Sequence, residues 1–268
     1  MTARYRELFN RLREKHEGAF VPFVVLGDPS PGDSLEVLRA LVRGGADALE
    51  LGLPFSDPVA DGPTIQAADV RALAAGTRSR HAWGLLSALR AEYPEVPIGL
   101  LVYANLLEAR GRDTFYAQAA AAGVDSVLVA DVPTIEAEPF VAAARKHALH
   151  PVLIATQTAS EARLQQIARL SSGYTYVVTR AGVTGADEQL QADHGALLRR
   201  LAAYGAPPCL LGFGISRPEH VRAAIASGAA GAISGSAVVQ LVERHANDLS
   251  ALVAALEAFV AEMKAATR

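Results

Sequence analysis

Between Leu49 and Gln66 the chain reads LELGLPFSDPVADGPTIQ. Glu50 stands inside an apolar run with the pattern of a strand. Asp57 and Asp61 follow in a loop stiffened by Pro54, Pro58 and Pro63. A carboxyl on a buried strand loses hydration, so its pKa rises towards the range useful for general acid–base work. A second carboxyl held by a rigid loop across the same pocket has a different environment, which lets two acids take two roles. A Glu paired with a neighbouring Arg is the structural alternative for Glu50, and an exposed, solvated acid is the plain reading of Asp57.

A second constellation lies near the end of the chain. GFGIS (Gly212 to Ser216) and GAISGSAVV (Gly231 to Val239) each follow a strand-like run. Glycines let backbone N–H groups approach a ligand closely. Gly235 and Ser236 open a short helix whose free amides and dipole favour an anion. Together these loops predict a phosphate site. The loop TRAGVTGADEQLQADHG, with Gly182, Gly185 and Gly195 and many polar residues, reads either as a disordered connection or as a lid. Within it, Gly185 is a candidate to close over the phosphate and Thr184 to face the reacting centre, while Arg180 is a phosphate ligand or a loop anchor.

Elements must hold these groups together. Eight β-rich runs start at Phe20, Asp47, Pro97, Asp125, Pro151, Tyr174, Pro208 and Gly231, and helical patterns lie between them. Near-continuous apolar strands joined by helices mean parallel pairing with a covered sheet. Eight such units predict a single (β/α)8 TIM barrel over 1–268, with an extra N-terminal helix and a short phosphate-binding helix after the eighth strand. An open doubly wound sheet is disfavoured because no G-x-G-x-x-G turn follows the first strand. In such barrels chemistry sits at the C-terminal strand ends, where both constellations fall. The N-terminal pattern places Tyr5, Leu8, Phe9 and Leu12 on one helical face, ready to pack on the barrel.

Composition removes other classes. Net charge is −3 with no long basic stretch, which gives no support for nucleic-acid or membrane binding. No apolar run is long enough for a membrane span. The one cysteine, Cys209, reads as core and fits a reducing cytoplasm. The seven histidines form no HxH or HExxH pattern, so no metal site is expected.

LELGLPFSDPVADGPTIQ resembles the signature of the tryptophan synthase alpha subunit family. GAFVPFVVLGDP, GYTYVVTRAGVTGA, LGFGISRPEHV and GAAGAISGSAVV resemble the same family in order along the chain. The resemblance implies a (β/α)8 barrel lyase that cleaves indole-3-glycerol phosphate to indole and glyceraldehyde 3-phosphate by a retro-aldol reaction. It implies Glu50 as the principal acid–base, Asp61 at the indole N–H and Tyr176 near the Glu. Phosphate contacts map to Gly185, Gly214, Gly235 and Ser236. Phe23, Leu101, Leu128, Ile154 and Phe213 are apolar strand-end residues for an indole pocket. The implied partner is a beta subunit in an α2β2 heterotetramer; it carries pyridoxal phosphate, and no cofactor is expected in this chain. Pro54 and Asp57, with Thr184 in the sixth loop, then face that partner. Departures from common family forms stand at Leu106, at Ala130 in ADVP and at Ala155–Ser160, where they are expected to retune the pocket wall. The alternatives are a related phosphate-binding barrel enzyme, or a catalytically weak barrel acting mainly as an activating subunit.

Overall fold

A strand that is apolar on both faces must be covered inside and out, and β1 obeys this rule. Phe20 and Val24 point outward into the helix layer, while Val21, Phe23 and Val25 point into the barrel. The computed structural model describes residues 2–178 and 187–268. Among the described residues there are nine strands, all parallel: β1 (Ala19–Val25), β2 (Leu49–Gly52), β3 (Ile98–Val102), β4 (Ser126–Val129), β5 (His150–Val152), β6 (Ile154–Thr156), β7 (Thr175–Val178), β8 (Cys209–Gly212) and β9 (Gly231–Ser234). Their order is β5-β4-β3-β2-β1-β9-β8-β7-β6. The two ends of this sheet are halves of one strand, broken only at Leu153. The first half pairs with β4 and the second with β7, which closes the circuit as a (β/α)8 barrel.

The amphipathic helix Arg4–Lys15 buries the four residues its periodicity selects, Tyr5, Leu8, Phe9 and Leu12. They share one apolar cluster with Ala19, Ala48, Tyr174 and Leu210, at or near the N-terminal ends of the strands, and with Leu128 further up β4, so this helix plugs the lower mouth. Burying each such side chain contributes about 1.5–3 kcal/mol relative to exposure. Tyr5 also shares a 2.8 Å hydrogen bond with Ser126.

Two helices reach the upper mouth. Pro63–Ala74 starts just after Asp61, with Pro63 at a first-turn position that needs no N–H. Ser236–Arg244 follows β9 as the short extra helix. Arg71 ties both to the loop after β1. Its Nε and Nη2 donate to the buried Asp28 carboxylate at 3.0 and 2.9 Å, and its Nη1 donates to Glu243 at 3.0 Å. None of the described helices is long and apolar enough to cross a membrane.

Candidate active site

Glu50 sits in β2 opposite Phe23 of β1 and Gly99 of β3, and its side chain points into the barrel. It is 2% exposed. The hydroxyl of Tyr174 donates to its Oε1 at 2.6 Å. Burial pushes its pKa up to about 7 and the charge of Asp61 adds to the rise, while the Tyr174 bond opposes both. A carboxyl held there populates both protonation states near neutral pH.

Asp61 borders the same cavity, about 180 Å³ in volume. Its Oδ2 accepts from the Tyr103 hydroxyl at 2.6 Å, and that hydroxyl accepts from the Ala60 amide at 3.1 Å. Burial raises the Asp61 pKa against the Tyr103 bond. The two carboxyls therefore have separate tyrosine partners and separate exposures, the arrangement that lets acids divide their roles. Tyr176, Phe23 and Leu101 line the wall between them. Phe213, 58% exposed and in a left-handed conformation at φ 84°, covers the outer side.

Gly214, Gly235 and Ser236 form the opposite end of the cavity, where the helix Ser236–Arg244 begins. Unsatisfied first-turn amides make that end attractive to an anion. A Cβ added at Gly235 would meet nothing closer than Phe23 at 3.7 Å. Gly212 differs: a Cβ there would lie 2.1 Å from the Tyr176 hydroxyl, so the ring packs directly on bare backbone.

The family model described as tryptophan synthase alpha chain matches residues 9–268. The chain belongs to the tryptophan synthase alpha chain family. It is 56% identical to the tryptophan synthase alpha chain of Pectobacterium atrosepticum and 54% identical to that of Vibrio vulnificus, in each case over 99% of both chains. The tryptophan synthase subunit alpha from Legionella pneumophila superposes with a TM-score of 0.90 at 30% identity, covering 100% of this chain and 99% of that one. A chain from the tryptophan synthase α2β2 complex of Pyrococcus furiosus gives 0.83 at 36% identity, covering 92% and 98%.

Within this family frame, most of the named residues meet at one cavity and some do not. Leu128 is covered from below by the Tyr5 cluster and does not line it. Ile154 packs beside that cluster and borders a different cavity, about 240 Å³, between the strands β4–β6 and their outer helices. Ala130, Thr156 and Ala159 border that outer cavity too, and Leu106 borders another with Pro54, so these departures are not in the wall around Glu50. Asp57 is exposed and accepts from the Ser56 hydroxyl at 2.5 Å. Thr184, Gly185 and Arg180 lie outside the described residues. Cys209 is half-buried, and burial pushes its thiol up to about 12, far from a thiolate nucleophile.

Three contributors went unnamed in the sequence. Tyr174 is the direct partner of Glu50; its signal was the pair Tyr174 and Tyr176, two apart on a strand and therefore on one face. Tyr103 holds Asp61 from the end of β3, in the YAN stretch. Ile65 closes the floor from the helix after Asp61 and looks from sequence like any helical core residue.

Proposed function

We propose that the chain cleaves indole-3-glycerol phosphate to indole and glyceraldehyde 3-phosphate, as the alpha subunit of an α2β2 tryptophan synthase in the cytoplasm. The observation that carries this reading is Glu50, a fully buried carboxyl in a cavity wall with its pKa near 7. Protonated Glu50 delivers its proton to C3 of the indole ring, which becomes a cation. Asp61 receives the ring N–H and stabilises that charge. Glu50, now a carboxylate, takes the proton of the hydroxyl on the carbon bonded to C3. The carbonyl forms, the C–C bond breaks, and its electron pair returns to the ring as neutral indole. Proton count closes on Glu50 itself. Tyr174 steadies Oε1 throughout, and Tyr176 packs beside the reacting carbon.

Gly214, Gly235 and Ser236 hold the phosphate through backbone amides. Phe23, Leu101 and Phe213 flank the ring. Pro54 and Asp57 meet the beta subunit, which receives the indole. Pyridoxal phosphate belongs to that subunit in this reading, and no residue of this chain is assigned to it.

The test is direct indole release by the purified chain, alone and with a beta subunit. General acid–base help is worth about 10²–10⁴ in rate, so Glu50→Gln and Asp61→Asn each bring release close to background with unchanged circular dichroism. Turnover near wild type in either variant removes the assignment.

A further inference from the structure

One buried acid has no part in the mechanism above. Asp69 lies in the helix Pro63–Ala74 and is 4% exposed. Among the described residues it has no cationic partner; its Oδ1 accepts only from the backbone amide of Phe55, at 3.2 Å. Burial, with the charges of Asp61 and Asp28, pushes its pKa up to about 7. Its neighbour Asp28 is compensated by Arg71, and Asp69 is not. A buried carboxyl without a counter-ion costs stability, and such groups cluster where function needs them.

What the Phe55 amide controls is visible one contact further on. The Phe55 ring stacks on Tyr103, with centroids 5.2 Å apart and planes inclined by 27°. Tyr103 is 3% exposed, donates to Asp61 at 2.6 Å and accepts from the Ala60 amide at 3.1 Å. The loop carrying Phe55 and Asp61 is therefore pinned at both ends of one stack. We propose that Asp69 is a positioning residue for Asp61: it anchors the Phe55 amide, which seats the Phe55 ring on Tyr103, and Tyr103 holds the Asp61 carboxylate. The inference rests on Asp61 as the group that meets the ring N–H. It adds a third acid that never touches substrate.

An acceptor is what the position requires, so Asp69→Asn keeps the anchor and Asp69→Ala removes it. Displacing a reacting group by about 1 Å costs on the order of 100-fold. Asp69→Ala is accordingly expected to lower kcat for indole release by about 10- to 100-fold, with KM within about threefold because the phosphate glycines are untouched. Asp69→Asn is expected to restore kcat to within a few-fold. Amide hydrogen exchange reads the same chain without any turnover. In Asp69→Ala the Ala60 amide, which is bonded to Tyr103, is expected to exchange about tenfold faster or more, and in Asp69→Asn to stay near wild type. Phe55→Leu keeps the anchor and removes the stack; it reproduces the kcat loss and decides the matter if Asp69→Ala does not fold. Faster exchange at Phe55 alone, wild-type kcat in Asp69→Ala or Phe55→Leu, or an Asn variant as slow as the Ala variant overturns the proposal. A wild-type chain that releases no indole, alone or with a beta subunit, fails the proposed function instead, and exchange at Ala60 still decides the positioning chain.

Discussion

Glu50 trades stability for chemistry, and its sign can be worked out. Its folded pKa of about 7 lies above the ordinary glutamate value. The unfolded chain therefore releases this proton at lower pH than the folded one, so the folded state loses stability as pH rises from about 4.3 to 7 and carries the full penalty above. Glu50→Gln imitates the protonated form and keeps an acceptor for Tyr174. At pH 8 the variant is expected to be more stable than wild type by about 3–4 kcal/mol, and at pH 4 by nearly nothing. Urea titrations at the two pH values check this; an equal difference at both would detach the raised pKa from stability. At this scale much was legible. A lone acid in an apolar strand and a second in a proline-rich loop mark themselves by the cost of burying them. Tyr103 was not legible, because a tyrosine near a strand end is ordinary core until a carboxylate is seen beside its hydroxyl, and Tyr174 was legible only through its spacing from Tyr176.

Glycines in the loops after the last strands do two different jobs. Gly212 is required by the protein, since a methyl there would overlap the Tyr176 hydroxyl at 2.1 Å. Gly235 has room for a methyl on the protein side, with Phe23 at 3.7 Å, and its φ of −103° suits any residue. Its constraint then comes from what enters the cavity. Gly235→Ala is expected to fold with unchanged melting temperature yet raise KM for indole-3-glycerol phosphate by about tenfold, as 1.4 kcal/mol of lost phosphate contact corresponds to that factor. Gly212→Ala is expected to shift Tyr176, lower kcat and leave glycerol phosphate binding within a few-fold. Steady-state kinetics and glycerol phosphate titration separate the two, and a KM effect confined to Gly212→Ala would reverse the roles. The element pattern was readable in advance because helix faces and strand alternation follow fixed periods. The Leu128 and Ile154 positions were not, because side-chain alternation gives the inward face of a strand and says nothing about the layer. Leu128 belongs to the layer that the N-terminal helix fills from below.

Eight alternating units imply closure, since a parallel sheet that returns on itself leaves no bare edge. The break at Leu153 does not show in the sequence, where PVLIAT reads as one strand; it arises because its two halves pair with different neighbours in the staggered ring. Closure also sorts the surface into a plugged lower mouth and an open upper one. Among the described residues, five large hydrophobics are well exposed, and three of them, Val59, Ile135 and Phe213, stand on loops at the upper mouth. Singly exposed apolar residues need no explanation; in the proposed function these three, each on a loop at the C-terminal strand ends, are the rim offered to the beta subunit. In the proposed assembly the beta subunit covers that rim and indole leaves through it. Ile135, 64% exposed in the turn after β4, does not border the Glu50 cavity. Ile135→Asp is therefore expected to leave indole release by the chain alone unchanged. Affinity for the beta subunit falls by about tenfold or more, the loss of a buried apolar contact replaced by an unpaired charge. Calorimetric titration against the beta subunit measures the second effect directly. If affinity is unaltered while Asp57→Ala loses activation, the rim contact lies on the loop after β2 and not on the turn after β4.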